Sequence, residues 1–264
     1  MVSTWLDTAV FVLCLIVAVP YLLGPVLIFF TLCYRIPPEV VVIDPAQHPF
    51  PHELRQYFSS AHVDLTRLGF ELLGTVLLPS LVPNVQALFN LYLNRENNDM
   101  AMSVFTLATA GGSETVKSKH VEFCTNFSDG VMVQTNNSAE LSAFKLQPKE
   151  VTAQFWNIQN LDRLYQLHRF LLDKHRGTGH AICLYESQFG GDIAAYTAGE
   201  VISRSLLAQV DTGFMAPTSN GLRTTVKGAI IMTWQELWPL KAIRRRRRLH
   251  EAEQILNEMG GVLK

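Results

Sequence analysis

From Thr8 to Tyr34 the chain runs through twenty-seven residues without one charged side chain, more than the roughly 20 apolar residues a helix needs to cross a bilayer. A secretory signal is a poor match. The preceding MVSTWLD has no Lys or Arg and holds Asp7, the apolar run is too long, and its exit through Phe30, Thr31 and Leu32 to Cys33 offers neither a small-residue cleavage site nor a lipidation site. A core helix that is apolar on every side is uncommon in a domain of this size. The stretch therefore reads as one transmembrane helix, kinked at Pro20, Gly24 and Pro25, with Trp5 at one end and Tyr34 and Arg35 at the other as interfacial anchors.

Positive charge orients such a span, because Lys and Arg stay on the cytoplasmic side. Only Asp7 and the amino group precede it, whereas Arg35, Arg55 and Arg67 follow, so the bulk of the chain is expected to be cytoplasmic at the cell membrane. Cysteine usage agrees: Cys14 and Cys33 belong to the apolar stretch, which leaves Cys124 and Cys183 as the one pair free to bridge. Two N-glycosylation sequons begin at Asn126 and Asn136 and would matter only on the lumenal side.

Apolar residues make up 48% of the chain and charged ones 17%, so the part beyond the span can bury a core. A net charge of −1 and a pI near 6.7 argue against a nucleic-acid partner. Ile36 to His52 carries five prolines and reads as stiff extended linker; those prolines forbid the helix on which Asp44, His48 and His52 would line up as metal ligands.

From about Leu68 to Gln147 the apolar period is two. Phe70–Leu78, Val85–Leu93, Met100–Thr109, His120–Phe127 and the run after Gly130 read as strands, with Ser142–Leu146 as one more candidate. Asn94–Asp99 and Ser128-Asp129-Gly130 supply turns. Helices follow over 160–175, with Leu161, Leu164, Tyr165, His168, Leu171 and Leu172 on one face, and over 192–210 after Gly190-Gly191.

The last segment is the second strong signal. Ile230, Ile231, Trp234, Leu237 and Trp238 cluster before Pro239, and Lys241 and the block Arg244, Arg245, Arg246, Arg247 and Arg248 follow. Tryptophans beside a basic cluster suit the headgroup region of an anionic membrane; the competing reading is a solvated helical face pairing with Glu251 and Glu253. Leu249 to Met259 then forms an amphipathic helix that packs on the domain or on another subunit.

The expected fold is α+β: a transmembrane helix, then a mostly antiparallel sheet of about five or six strands covered by one or two helices, then the basic amphipathic segment. The units are a tail (1–7), the span (8–34), a Pro-rich linker (35–66), the α+β domain (67–226) and the Trp/Arg-rich segment (227–264). No nucleophile-elbow, zinc-protease, C-x-x-C, kinase or Walker motif occurs, and no catalytic residue, cofactor or metal is assigned. The favoured function is a membrane-anchored binding or scaffold protein, touching the bilayer, anionic headgroups and a protein partner. The alternative is a membrane-associated hydrolase or thiol enzyme using Asp129, His120, His168 or Cys124.

Overall fold

The computed structural model describes residues 18–45, 47–48, 50–82, 84–110, 113–175 and 177–262. A helix over 18–31 (α1) leads to strands β1 (Cys33–Arg35) and β2 (Val41–Ile43), helix α2 (His52–Arg67) and strands β3 (Glu71–Val82), β4 (Val85–Asn94), β5 (Asp99–Ala110), β6 (Ser113–Phe127), β7 (Met132–Asn136) and β8 (Glu150–Gln154). Helix α3 (Leu161–His175), strand β9 (Ala181–Ile182) and helices α4 (Leu184–Ser187) and α5 (Ile193–Tyr196) come next. A π-helical stretch (Thr197–Ser203) runs on into α6 (Arg204–Asp211), and strands β10 (Met215–Thr218) and β11 (Gly221–Thr224) precede helices α7 (Val226–Glu236) and α8 (Leu240–Val262).

Strands β3 to β7 form an antiparallel meander in which each strand returns beside the one before it, and β2 joins the edge at β3 before the chain passes through α2. Asn98 takes a left-handed conformation at the β4–β5 turn, and Asn94 Oδ1 accepts from Asn97 N, the residue types that make such turns favourable. At the β6–β7 turn Gly130 has φ 82° and Asp129 Oδ1 accepts from Val131 N. β8 joins β7 in parallel, since the chain between them crosses back over one sheet face.

Both faces of the sheet are covered. Alternate residues Val121, Phe123 and Phe127 meet Leu161, Leu164, Leu167 and Leu171 of α3, Leu65 of α2 and Met259 of α8. The opposite residues of β4, Ala87, Phe89, Leu91 and Leu93, meet Tyr185 and Tyr196 of the α4–α5 layer. This explains why β4 carries Leu88 and Tyr92 where a solvated face would be polar. Helix α2 begins as soon as the prolines end: Leu54, Phe58, Ala61 and Leu65 recur at helical spacing and all are buried. It occupies the second half of the Pro-rich stretch 35–66.

Two expectations are corrected. Among the described residues the main sheet has eight strands, not five or six, and β1, β11 and β10 form a second sheet of three. The short β2 and β9 have too few residues to show a period, and β8 lies past Ser142–Leu146, which is irregular. The transmembrane helix is overturned as well: among the described residues no helix is long and apolar enough to cross a membrane, so the single-pass reading falls with it. Thr8 to Val17, and Trp5, lie outside the described residues. Helix α1 ends at residue 31 because β11 captures the chain: Thr224 Oγ1 donates to Leu32 O at 3.1 Å, and the Arg223 guanidinium sits 4.5 Å from the Phe29 ring, a cation at a helix C-terminus. Cys33 and Tyr34, expected in the span, instead pair with Arg223 and Leu222.

That junction depends on Gly221, which has φ 147° and whose added Cβ would strike Tyr34 O. Gly221→Ala is expected to lower stability by about 2 kcal/mol through strain and loss of the β1–β11 pairing. Urea unfolding checks this; an unchanged midpoint would show that β1 is not held there.

Candidate functional site

His168 and Cys124 are the first residues to place, since an enzyme reading needs them together. His168 is fully buried on α3. Thr125 Oγ1 donates to Asp99 Oδ1 at 2.5 Å, which leaves the threonine oxygen to accept from His168 Nε2 at 2.9 Å. Nδ1 then accepts from Thr135 Oγ1 at 3.0 Å, so the imidazole is neutral with its proton on Nε2. Burial pushes its pKa down to about 4, against a weaker opposing pull from Asp99. Asp99 is closed off by Tyr165 Oη at 2.7 Å and Arg169 Nη1 at 3.0 Å. This chain of polar groups fixes the register of β5, β6, β7 and α3 and leaves His168 no free atom for a substrate.

Asp129 has a structural duty too: its carboxylate holds Val131 N and Gly179 N, both at 3.2 Å. Cys124 faces the other side of the sheet from His168. Burial raises its thiol pKa, and Glu122 raises it further; Cys183 is likewise raised by burial, so neither is poised as a thiolate. Asn126 and Asn136 are buried in paired strands, which closes both sequons.

Cys124 lies in the wall of a cleft on that second face. The floor is formed by outward-pointing residues of β6, β7 and β8; the lid is formed by the π-helical stretch, α6, the 138–148 connection and the start of α8. A small part of about 60 Å³ adjoins a larger one of about 370 Å³, and Glu122, Gln134 and Glu150 line both. Asn136 Nδ2 donates to Glu122 Oε2 at 3.2 Å, and Gln147 N to Glu150 Oε2 at 3.1 Å. Neither carboxylate has a cationic partner among the described residues. Burial pushes the Glu122 pKa up to about 7; the Asn136 hydrogen bond opposes this and Glu150 adds to it. His120, two residues away on the same strand face, has its pKa pushed down to about 4 by burial, and its Nδ1 is buried without a hydrogen-bond partner.

Glu122 and Glu150 went unnoticed in the sequence because their surroundings come from helices distant along the chain. The one available signal was a charge on the inward side of a strand, between His120 and Cys124.

The membrane-interface residues fall into two groups. Tyr34 is half-buried against Phe144 beside Leu206, Met215 and Leu222, and burial pushes its pKa up to about 12; Arg35 is exposed on β1. Trp234 packs on α1, its Nε1 donating to Tyr21 O at 3.1 Å, where Gly24 gives room for Thr233. Around this joint Leu22, Leu27 and Phe30 are 69%, 64% and 67% exposed and Trp238 is 77% exposed. Exposed Leu240 and Ile243 continue along α8 to Arg246 and Arg247 at helical spacing. Arg244 turns inward to Ser142 O and Arg248 to Thr152 O, while Arg245 lies 5.5 Å from the Trp156 ring. Arg247 and Arg248 both pair with Glu251.

A scan against protein-family models, a search of curated proteins and a search of solved structures found no match to this chain.

Proposed function

We propose that this protein is a binding module that works against an anionic membrane surface, with α1, Trp238 and the start of α8 lying in the headgroup region. The observation that carries the reading is the exposure of Leu22, Leu27 and Phe30 on α1 and of Trp238 beside the joint where α1 docks on α7, with exposed Ile243, Arg246 and Arg247 following on α8. An apolar patch bordered by like charge is seldom left bare in water. Bilayer interfaces complement both parts, since aromatic rings sit at headgroup depth and anionic lipids attract arginine. The cytoplasmic leaflet, which carries the anionic lipids, is the surface that fits. The sheet and its cleft would then face the cytoplasm, where a ligand or a protein partner can be met.

The full chain, held in mild detergent and diluted onto vesicles, tests this. Partitioning is expected to be stronger with phosphatidylserine than with phosphatidylcholine alone, and Gln at 245, 246 and 247 together should weaken it about tenfold. Trp238→Ser should weaken it on both lipids. Equal partitioning of all variants on both vesicles would overturn the proposal.

A further inference from the structure

The whole chain contains seven methionines, and three of them, Met100, Met102 and Met132, wall the small part of the cleft together with Cys124. A methionine gives up more rotamer freedom on burial than a leucine does, so this gathering of sulfur around one cavity is not what packing alone favours. Cys124 adds a buried thiol that is free of any disulfide. Sheet register sets the sulfurs close. Cys124 lies directly opposite Met100 on β5, where Cβ atoms are about 5 Å apart. Met102 shares the face of Met100 and stands diagonal to Cys124 across the same strand pair, roughly 7 Å away and within reach of a long side chain. Met132 approaches from β7 on the other side, level with Asn126. The thiol is therefore the centre of the group, with thioether arms on both sides.

The oxygen donors of the same cavity are engaged elsewhere. Glu122 accepts from Asn136 Nδ2 at 3.2 Å and Glu150 from Gln147 N at 3.1 Å, while Glu200 pairs with Arg204. Arg204 Nη1 also meets Met132 Sδ at 3.2 Å, which leaves Met100 and Met102 as the freer thioethers. Among the described residues no group of three or more His, Cys, Asp or Glu is arranged to hold a metal ion, so the ligand set of a zinc or calcium site is not present there. Thiolate and thioether donors instead select Cu(I). Charge agrees with this choice, because one thiolate and one monovalent ion make a neutral pair that costs little to bury. Tyr196 and Val201 of the helical layer line the same small space.

We propose that Cys124, Met100 and Met102 form a binding site for a single Cu(I) ion held by three sulfurs. On binding, the Cys124 thiol releases its proton to solvent and a copper–thiolate bond forms. Met100 and Met102 each donate a sulfur lone pair, and no oxidation state changes. Coordination deprotonates a thiol outright, which overcomes the burial that keeps Cys124 protonated in the free protein. Asn126 Nδ2 points at Cys124 Sγ from 4.0 Å, a donor that suits a thiolate better than a thiol. The π-helical stretch takes part by carrying Val201 to the cavity and by placing Glu200 to hold Arg204, in keeping with the frequent use of such stretches at functional sites.

Anaerobic competition for Cu(I) between the full chain and the chelator bicinchoninate is the test, with Cys14→Ser and Cys33→Ser as background so that thiols outside the core do not contribute. One Cu(I) per chain is expected to leave the chelator, with sulfur as the copper ligand in X-ray absorption, and excess Zn²⁺ should not displace it. Met100→Leu and Met102→Leu should each weaken binding about tenfold or more, since even the outer partners of a metal site are worth that much. Both keep the thiol and nearly the same side-chain volume, so they carry the test should Cys124→Ser fail to fold. Cys183→Ser should leave the affinity unchanged. Failure to take Cu(I) from the chelator, unchanged affinity in either leucine variant, displacement by Zn²⁺, or loss of binding in a folded Cys183→Ser protein would each overturn the proposal.

Discussion

Arg169→Ala is expected to lower stability by about 3 kcal/mol, although Arg169 itself is 43% exposed and exposed ion pairs are worth little. The cost arises at its partner. Asp99 is 0% exposed, and Arg169 is the cation that meets it; removing one member of such a pair leaves a buried charge uncompensated. Thr125 and Tyr165 still donate to it, and water enters from the Arg169 side, which places the loss at the lower end of the range for buried pairs. Adding Asp99→Asn to Arg169→Ala should recover at least half of the loss, because the charge that needed compensation is gone. Urea unfolding of the two single variants and the double variant measures the coupling. Additive losses would mean that Arg169 acts by packing alone.

Acidification from pH 7 to pH 4 is expected to remove about 3 kcal/mol of stability. His168 and His120 both have folded pKa values pushed down by burial to about 4, below their unfolded value near 6.5. Between those limits the unfolded chain binds more protons, so stability falls as pH falls. Glu122 works the other way: its folded pKa of about 7 lies above the ordinary carboxyl value, so the folded chain holds that proton more firmly and gains as pH falls towards 4.5. Each displacement is worth about 3 kcal/mol, and Glu122 offsets one histidine of the two. Glu122→Gln removes the offset and should roughly double the acid sensitivity in chemical unfolding at a series of pH values. An imidazole of His168 that titrates near 6.5 by NMR would refute the buried, neutral state.

The long strands were readable because a period of two needs only the residues themselves. Val121, Phe123 and Phe127 face α3, and Ala87, Phe89 and Leu91 face the α4–α5 layer, as the alternation requires. Helix α3 was readable for the same reason, its buried set falling at 3.6-residue spacing. The short strands β1, β2 and β9 carry no such period, and each exists because a partner presents an unpaired edge. Helix α2 was hidden behind the prolines that precede it. The cleft was not legible at all, since Glu122 acquires the burial that raises its pKa only after the helical layer and α8 close over the sheet.

Thr8 to Tyr34 marks the boundary between the two kinds of information. The sequence by itself determined that this stretch is apolar, interrupted by Pro20, Gly24 and Pro25, and answered at the far end of the chain by two tryptophans and an arginine block. Tertiary structure decided that its last residues leave the helix for β11, that Tyr21 and Gly24 dock on Trp234 and Thr233, and that Leu22, Leu27 and Phe30 are left facing outward. Hydrophobicity sets which side chains must leave water; only packing between segments some two hundred residues apart chooses where they go.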